Sequence, residues 1–544
     1  MHSIDVVLAM LLAVAASGYL VRILPFSLPL PLVQIGLGAV VSGVLDRGHV
    51  LEPDLFFLLF LPPLLFLDGW RIPKQGLFRD KGPILELAFG LVVFTVLGAG
   101  VLIHWMIPAM PWAVAFALAA IISPTDPVAL SSITSRMPMP KRLMHILEGE
   151  SLLNDASGLV CFQFAVAAVM TGAFSLADAS LTFLWVAVAG TAAGVLVTVL
   201  LSRTQSLIWR RFGEEPGSAI LFNLLTPFAA YLAAEVMHAS GILAAVAAGV
   251  TMSFVELRGN APGSMRVQRW AVWETVQFTL NGIVFVLLGE QLPGILDDAV
   301  HSVREAGHLN PWWLLVYVLA INASLAVLRL VWVWLSLRWS LLKAHRRGEQ
   351  QASPPWRVVV ATSLAGVRGA ITLAGVLTLP LLLPDGTAFP ARQLTIFLAA
   401  AVIVVSLLVA SLALPRLLKG LALPEESDEQ QQEDVARKAS AQAALEAVEK
   451  LRRSMTDDPA AEHFNRAAQR VSQLYQRKLG DGDAAETDPV QAEAFAEALR
   501  QLRGAGLSAE RAELFRLARR GLISDELSRR LVRNLDLIET RQKS

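Results

Sequence analysis

A single cysteine, Cys161, in 544 residues leaves no intramolecular disulfide and argues against thiolate metal chemistry. It lies inside an apolar run, where a small packing residue is expected. Charge is scarce as well, at 17% of residues, and the 46 Lys and Arg balance the 46 Asp and Glu. A net charge of zero provides no global basic field for nucleic acid. Walker, Rossmann and zinc-ligand spacings are absent, so nucleic-acid and nucleotide partners are not expected. Met1 to Asp5 lack the basic n-region and small-residue cleavage pattern of a signal peptide, so the first helix is expected to be retained. What is abundant is apolar surface: 54% of residues are hydrophobic and the mean hydropathy is +0.53, too apolar for an ordinary soluble domain.

Windows of about 20 apolar residues, the length that crosses a hydrocarbon core, recur from the N-terminus to residue 418. They divide into about thirteen spans. The first seven cover Val6 to Ile23, Leu28 to Val44, Leu55 to Gly69, Pro83 to Ile107, Trp112 to Ser135, His145 to Thr171 and Leu181 to Ser202. The other six cover Ala219 to Met237, Gly241 to Leu257, Val272 to Leu288, Trp312 to Ser340, Val358 to Leu383 and Leu394 to Leu418. An all-α polytopic membrane protein is the expected fold class, with residues 1–420 as the transmembrane domain. After Pro424 the chain turns polar, and 421–544 is expected to be a mostly helical cytoplasmic tail domain.

Alternate loops carry the basic residues. Arg71, Lys74, Arg79 and Lys81 form one set; Arg136, Lys141 and Arg142 the next; Arg203, Arg210 and Arg211 another; then Arg258, Arg266 and Arg269, and last Lys343, Arg346 and Arg347. Cytoplasmic loops hold such residues, so the N-terminus is expected outside and the C-terminus in the cytoplasm of a cell that carries the protein in its plasma membrane. Trp105, Trp112, Trp312, Trp313 and Trp339 fall at span ends, as aromatic belts do.

Two spans carry helix breakers in their middles, where a simple anchor would keep its backbone bonds closed. The fifth contains Ser123-Pro124-Thr125-Asp126-Pro127 and the twelfth Gly366-Val367-Arg368-Gly369. They lie seven spans apart and, by the loop charges, run in opposite directions. Matching interruptions in two halves point to a carrier with inverted repeats and a midplane site. Spans one to six and eight to thirteen would form two inverted six-helix repeats, with the broken spans crossing.

An acid at a membrane helix centre costs about 2.5 to 3.5 kcal/mol on insertion scales and is kept mainly for a task. Asp126, Glu150, Asp155, Arg329 and Arg368 are charges of this kind. Glu150, Ser151, Asn154 and Asp155 fall at i, i+1, i+4 and i+5, one polar face of an apolar helix. A dehydrated Na+ needs several hard oxygens, which Asp155, Ser151 and the opened backbone at Thr125 could supply. The same carboxylate can take a proton instead, and competition for one group is antiport. Asp126, in the Pro-broken stretch, is expected to neutralise helix N-termini first and to ligate second. Arg329 and Arg368 need acidic or carbonyl partners, and Glu150 suits either in a structural pair. Asp68 could line an access path or simply face water. A polar network that only holds helices together is the alternative reading of the whole set.

These residues resemble a known family. Phe60-Leu61-Pro62-Pro63-Leu64-Leu65-Phe66, Ser123 to Ala129, Glu150 to Asp155, Ser240 to Ala244, Leu280 to Phe285 and Gly366 to Gly369 are similar to motifs of the first cation:proton antiporter family, of the NhaP and eukaryotic Na+/H+ exchanger type. The resemblance implies Asp155 as the ion- or proton-binding carboxylate, Asn154 as its support, and Ser151 and Thr125 as ligands. It implies Arg329 as the partner of Glu150, with Arg368 nearby. Having Asn154 before Asp155 implies electroneutral exchange. Spans four to six and eleven to thirteen would form the moving core against a dimerising remainder, giving a homodimer. No resident cofactor is expected, the transported ions being Na+ and H+; K+ or Li+ on the same framework stays open. A cation channel would show a filter-like repeat, which is absent. An enzyme using Ser151 and His145 fails because six residues on a helix face different sides.

Overall fold

In a bilayer the backbone must satisfy its own hydrogen bonds, so apolar runs of this length fold as helices. The computed structural model describes residues 2–24, 28–45, 53–71, 81–134, 141–172, 176–213, 215–256, 263–305, 312–346 and 354–419, with 442 and 446. The tail expectations therefore lie outside the described residues. Among those residues all regular structure is helical, apart from one isolated bridge between Leu382 and Ala388.

Each apolar run identified above is helical over most of its length, but the twelfth, expected to reach Leu383, leaves helix after Leu377 and turns back through the bridge at Leu382. The chain begins with α1 (His2–Ile23), α2 (Leu30–Leu45) and α3 (Pro53–Arg71). Next come α4 (Lys81–Leu85), which runs through a π-helical turn, Glu86–Leu91, into α5 (Val92–Met106). The fifth run is divided into α6 (Trp112–Ile122) and α7 (Pro127–Thr134), bent by 44° at the break. Long helices follow: α8 (Lys141–Thr171), α9 (Leu176–Phe212), α10 (Pro216–Val236), α11 (Gly241–Glu256), α12 (Gly263–Glu305) and α13 (Trp312–Arg346). The twelfth run is also divided, into α14 (Trp356–Leu364) and α15 (Ala370–Leu377), and α16 (Arg392–Leu418) ends the series. Among the described residues eight helices are long and apolar enough to cross a membrane, nine if the bent α6–α7 pair is one span.

Packing rests on small residues, as it does where lipid offers no hydrophobic drive between helices. The α2–α12 contact is the closest case. Gly38 lies against the Val286 carbonyl and Gly289 against the Ile35 carbonyl, so a Cβ at either would overlap backbone. Elsewhere α3 and α9 both lie along α11, and α6 lies along α8. Ala115, Ala117, Ala119 and Ala120 of α6 are fully buried, which puts the first broken span at the centre of the core. Large apolar side chains such as Leu12, Leu196, Leu200 and Leu319 are exposed, as lipid-facing positions should be. The five tryptophans expected in belts are exposed too.

Candidate cation site at the crossing of two broken helices

Each break has a local cause. Pro124 and Pro127 lack N–H groups and disfavour helical conformation in the residues before them, so α6 stops at Ile122. Helix α7 restarts with Pro127 in its first position, where proline suits a helix. Asp126 caps it: Oδ1 accepts from the N–H groups of Val128 at 2.8 Å and Ala129 at 3.1 Å. In the other break, Gly366 and Gly369 bracket a stretch that ends at the start of α15. The two breaks touch, since the Asp126 N–H donates to the Val367 carbonyl at 2.7 Å. Gly369 packs so tightly on the Asp126 carboxylate that a Cβ there would overlap it. One acid thus stands at the N-terminal, partially positive ends of both α7 and α15.

The opposite, partially negative ends are met by two buried arginines, Arg368 and Arg329. Arg368 donates through Nε to the Ile122 carbonyl, the end of α6, at 2.8 Å, and through Nη1 to the Gly366 carbonyl. Arg329, from α13, donates through Nε to the Thr362 carbonyl near the end of α14 at 3.1 Å. Its other nitrogens hold Glu150 in a bidentate pair at 2.5 and 2.7 Å, with both side chains at most 3% exposed. Of the two arginines open to Glu150, Arg329 is the one that pairs with it. Around the pair, Thr125 Oγ1 donates to Glu150 Oε1 at 3.4 Å. Asn154 Nδ2 donates to Thr125 Oγ1 at 3.1 Å and to Glu150 Oε1 at 3.4 Å. Ser151 Oγ donates to the Thr125 carbonyl at 2.6 Å. Asn154 Oδ1 is buried without a hydrogen-bond partner, an acceptor left over in this network.

Beside the network lies a small cavity whose polar lining is Asp68, Thr125, Asp126, Asp155, Gln277 and Asn281, with Thr372 on α15. Its free volume is about 20 Å³, room for roughly one water or a bare small ion. Three of its lining residues are acids and none is basic. The expected site residues are therefore divided between two environments. Asp155, Asp126, Thr125 and Asp68 line the cavity, whereas Ser151 and Asn154 lie behind it in the Glu150–Arg329 network. The acids do not close into a cage: among the described residues no three His, Cys, Asp or Glu side chains are grouped to hold a metal ion. Carboxylates that are not grouped around one point, set among neutral oxygens, suit a weakly held monovalent cation better than a divalent one.

Residues 8–420 match the family described as sodium/hydrogen exchanger, transmembrane. The chain belongs to the sodium/hydrogen exchanger family. It is 42% identical over 538 residues to an uncharacterized Na+/H+ exchanger, YjcE, of Escherichia coli, covering 98% of this chain and 97% of that one. It is 43% identical over 418 residues to a sodium, potassium, lithium and rubidium/H+ antiporter of Bacillus subtilis, 75% of this chain and 60% of that one. Among solved structures, the sodium proton antiporter MjNhaP1 of Methanocaldococcus jannaschii matches with a TM-score of 0.58 at 18% identity. That match covers 78% of this chain and all of MjNhaP1. At that identity the likeness speaks for the fold alone. As a member of this family the chain is a multi-pass membrane protein of a transporter class.

The exchanger's cavity also has a wall that single-residue reasoning overlooked. Gln277 and Asn281 on α12 face the cavity, and nothing but their i, i+4 spacing in an apolar helix marks them in the sequence. The vestibule next to the cavity, about 250 Å³, shares Asp68, Pro127, Val128 and Gln277 with it and adds Arg71, Ser131 and Glu148. Glu148 had no expected role.

Proposed function

We propose that this chain exchanges Na+ for H+ across the plasma membrane, with Asp155 as the carboxylate that binds either ion in turn. The observation that carries the reading is the cavity at the crossing of the two broken helices. It holds three acids, no base and room for about one small ion. A cation or a proton entering there meets the carboxylate of Asp155 with no base beside it in the lining, and each excludes the other. Thr125 lines the site, and its carbonyl and Ser151 are joined within hydrogen-bond reach, ready to contribute oxygens once the ion displaces that bond. Asp126 positions the helix ends, and Glu150 with Arg329 braces α8 against α13.

Alternating access needs a path on each side of Asp155. On one side the vestibule reaches Asp68, Glu148 and Arg71, at the end of α3 where the chain enters a basic loop. We read that side as cytoplasmic, which puts the N-terminus outside and the C-terminus inside. On the other side the buried Leu159 and Phe162 line a further cavity together with Gln163, Tyr231 and Glu235. Two inverted repeats of six spans, thirteen spans in all, with the core formed by spans four to six and eleven to thirteen, account for the paired breaks. Assembly as a homodimer through the remaining spans completes this reading, with residues 421–544 as a cytoplasmic tail domain. The name of the Bacillus subtilis relative favours K+ and Li+ as further substrates.

The test is proteoliposomes carrying a pH gradient, challenged with Na+, K+ or Li+ in turn, for wild type and Asp155→Asn. Cation-dependent collapse of the gradient is expected in the wild type and absent in the variant. Na+ should raise the unfolding midpoint of the wild type alone, as a ligand that binds only the folded state must. Exchange that survives in Asp155→Asn removes Asp155 from this role.

A further inference from the structure

Arg71 is the feature that the exchange reading leaves unexplained. It ends α3, one helical turn beyond Asp68, so the two side chains are i, i+3 neighbours. Both line the vestibule, and Asp68 lines the inner cavity as well. A guanidinium keeps its charge at any ordinary pH, so a fixed cation stands beside the route that a transported cation must take. Yet Arg71 forms no ion pair with Asp68 here. Its Nη1 donates instead to Gln277 Oε1 at 2.5 Å, and the guanidinium stacks 4.6 Å over the Trp270 ring. Nε and Nη2 are buried with no hydrogen-bond partner. Unmade bonds on a charged donor are costly, and the nearby vestibule offers carboxylates of Asp68 and Glu148 as acceptors.

We propose that Arg71 is a built-in competitor of the transported cation. Parked on Gln277 and Trp270 it leaves the vestibule open, and turned toward Asp68 it holds the entrance shut. The inference rests on the exchange reading of the Asp155 cavity. Trp270 lies outside the cavity lining and acts by holding the open position, so Arg71 and Trp270 are positioning residues. Their signature is a change in the KM for Na+ that depends on the Arg71 charge.

The experiment measures initial rates of Na+-driven proton movement in proteoliposomes. Arg71→Gln should lower the KM for Na+ roughly two- to five-fold, the worth of a partly exposed ion pair. Arg71→Lys, which keeps the charge, should not show that fall. Trp270→Leu frees the guanidinium and should raise KM, and adding Arg71→Gln to it should bring KM down to the Arg71→Gln value. An unchanged or raised KM in Arg71→Gln overturns the proposal, as does a Trp270→Leu effect that persists without Arg71. If Arg71→Gln does not fold, Trp270→Leu decides alone, and an unchanged KM overturns it. Asp155→Asn is run alongside. Should it still exchange, the reading of the cavity has failed, whereas KM results in the Arg71 series bear on the gate.

Discussion

At the residue scale, the buried charges divide into those held in an ion pair and those that line the cavity. Glu150 is enclosed by Arg329, Thr125 and Asn154, so its removal strands a buried guanidinium. Breaking such a pair typically costs about 3 to 5 kcal/mol. Glu150→Ala should therefore lower the unfolding midpoint in detergent sharply, while Asp155→Asn should leave it near wild type and abolish exchange. Equal midpoints for wild type and Glu150→Ala would mean that the pair does not brace the fold. The polar face of α8 was legible at this scale because 3.6 residues per turn aligns its four polar groups. The partner of Glu150 was not legible from spacing, because Arg329 lies 179 residues away and Arg368 has the same chemistry.

At the element scale, close helix approach sets which glycines can change. Gly36 and Gly38 share α2 and differ only in surroundings. A Cβ on Gly36 meets nothing within 4 Å, whereas one on Gly38 would run into the Val286 carbonyl and the Glu290 N–H of α12. Gly36→Ala should be neutral or slightly stabilising, since alanine is the better helix former. Gly38→Ala should destabilise by about 1 to 3 kcal/mol through overpacking, read as a lower unfolding midpoint. If both variants melt alike, α2 and α12 do not approach this closely. The breaks themselves were visible as Pro-Thr-Asp-Pro and Gly-Val-Arg-Gly. Their meeting was not, because a backbone bond from Asp126 to Val367 joins segments that share no local signal.

For the whole molecule, exposed leucines around the helices and acids enclosed at the centre describe a carrier with a lipid-facing exterior and a charged interior. If each turnover returns one proton for one monovalent cation, no net charge crosses the membrane. The exchange rate should then stay nearly constant when a potential is imposed with a gradient of a permeant anion such as thiocyanate, measured with Na+ as the exchanged ion. A rate that changes steeply with potential rules out the one-for-one stoichiometry. This prediction belongs to the assembled carrier, since it concerns the charge of the complete loaded and protonated states rather than any single group.

The residues alone determined that this chain crosses a bilayer repeatedly, because long apolar runs have no other stable solvent, and that two of its spans are broken, because proline and glycine act locally. They also marked Asp155, since a membrane acid is costly wherever it falls. Only the tertiary structure decided which groups face the cavity and which stand behind it. Asp155 and Asp68 come from α8 and α3 and Asp126 from the break between α6 and α7, and the same helical face of α8 divides between the cavity and the Glu150–Arg329 network. That division depends on how α3, α7, α8 and α12 meet, and on the hydrogen bonds that close the broken ends, a matter of long-range packing on which sequence periodicity is silent.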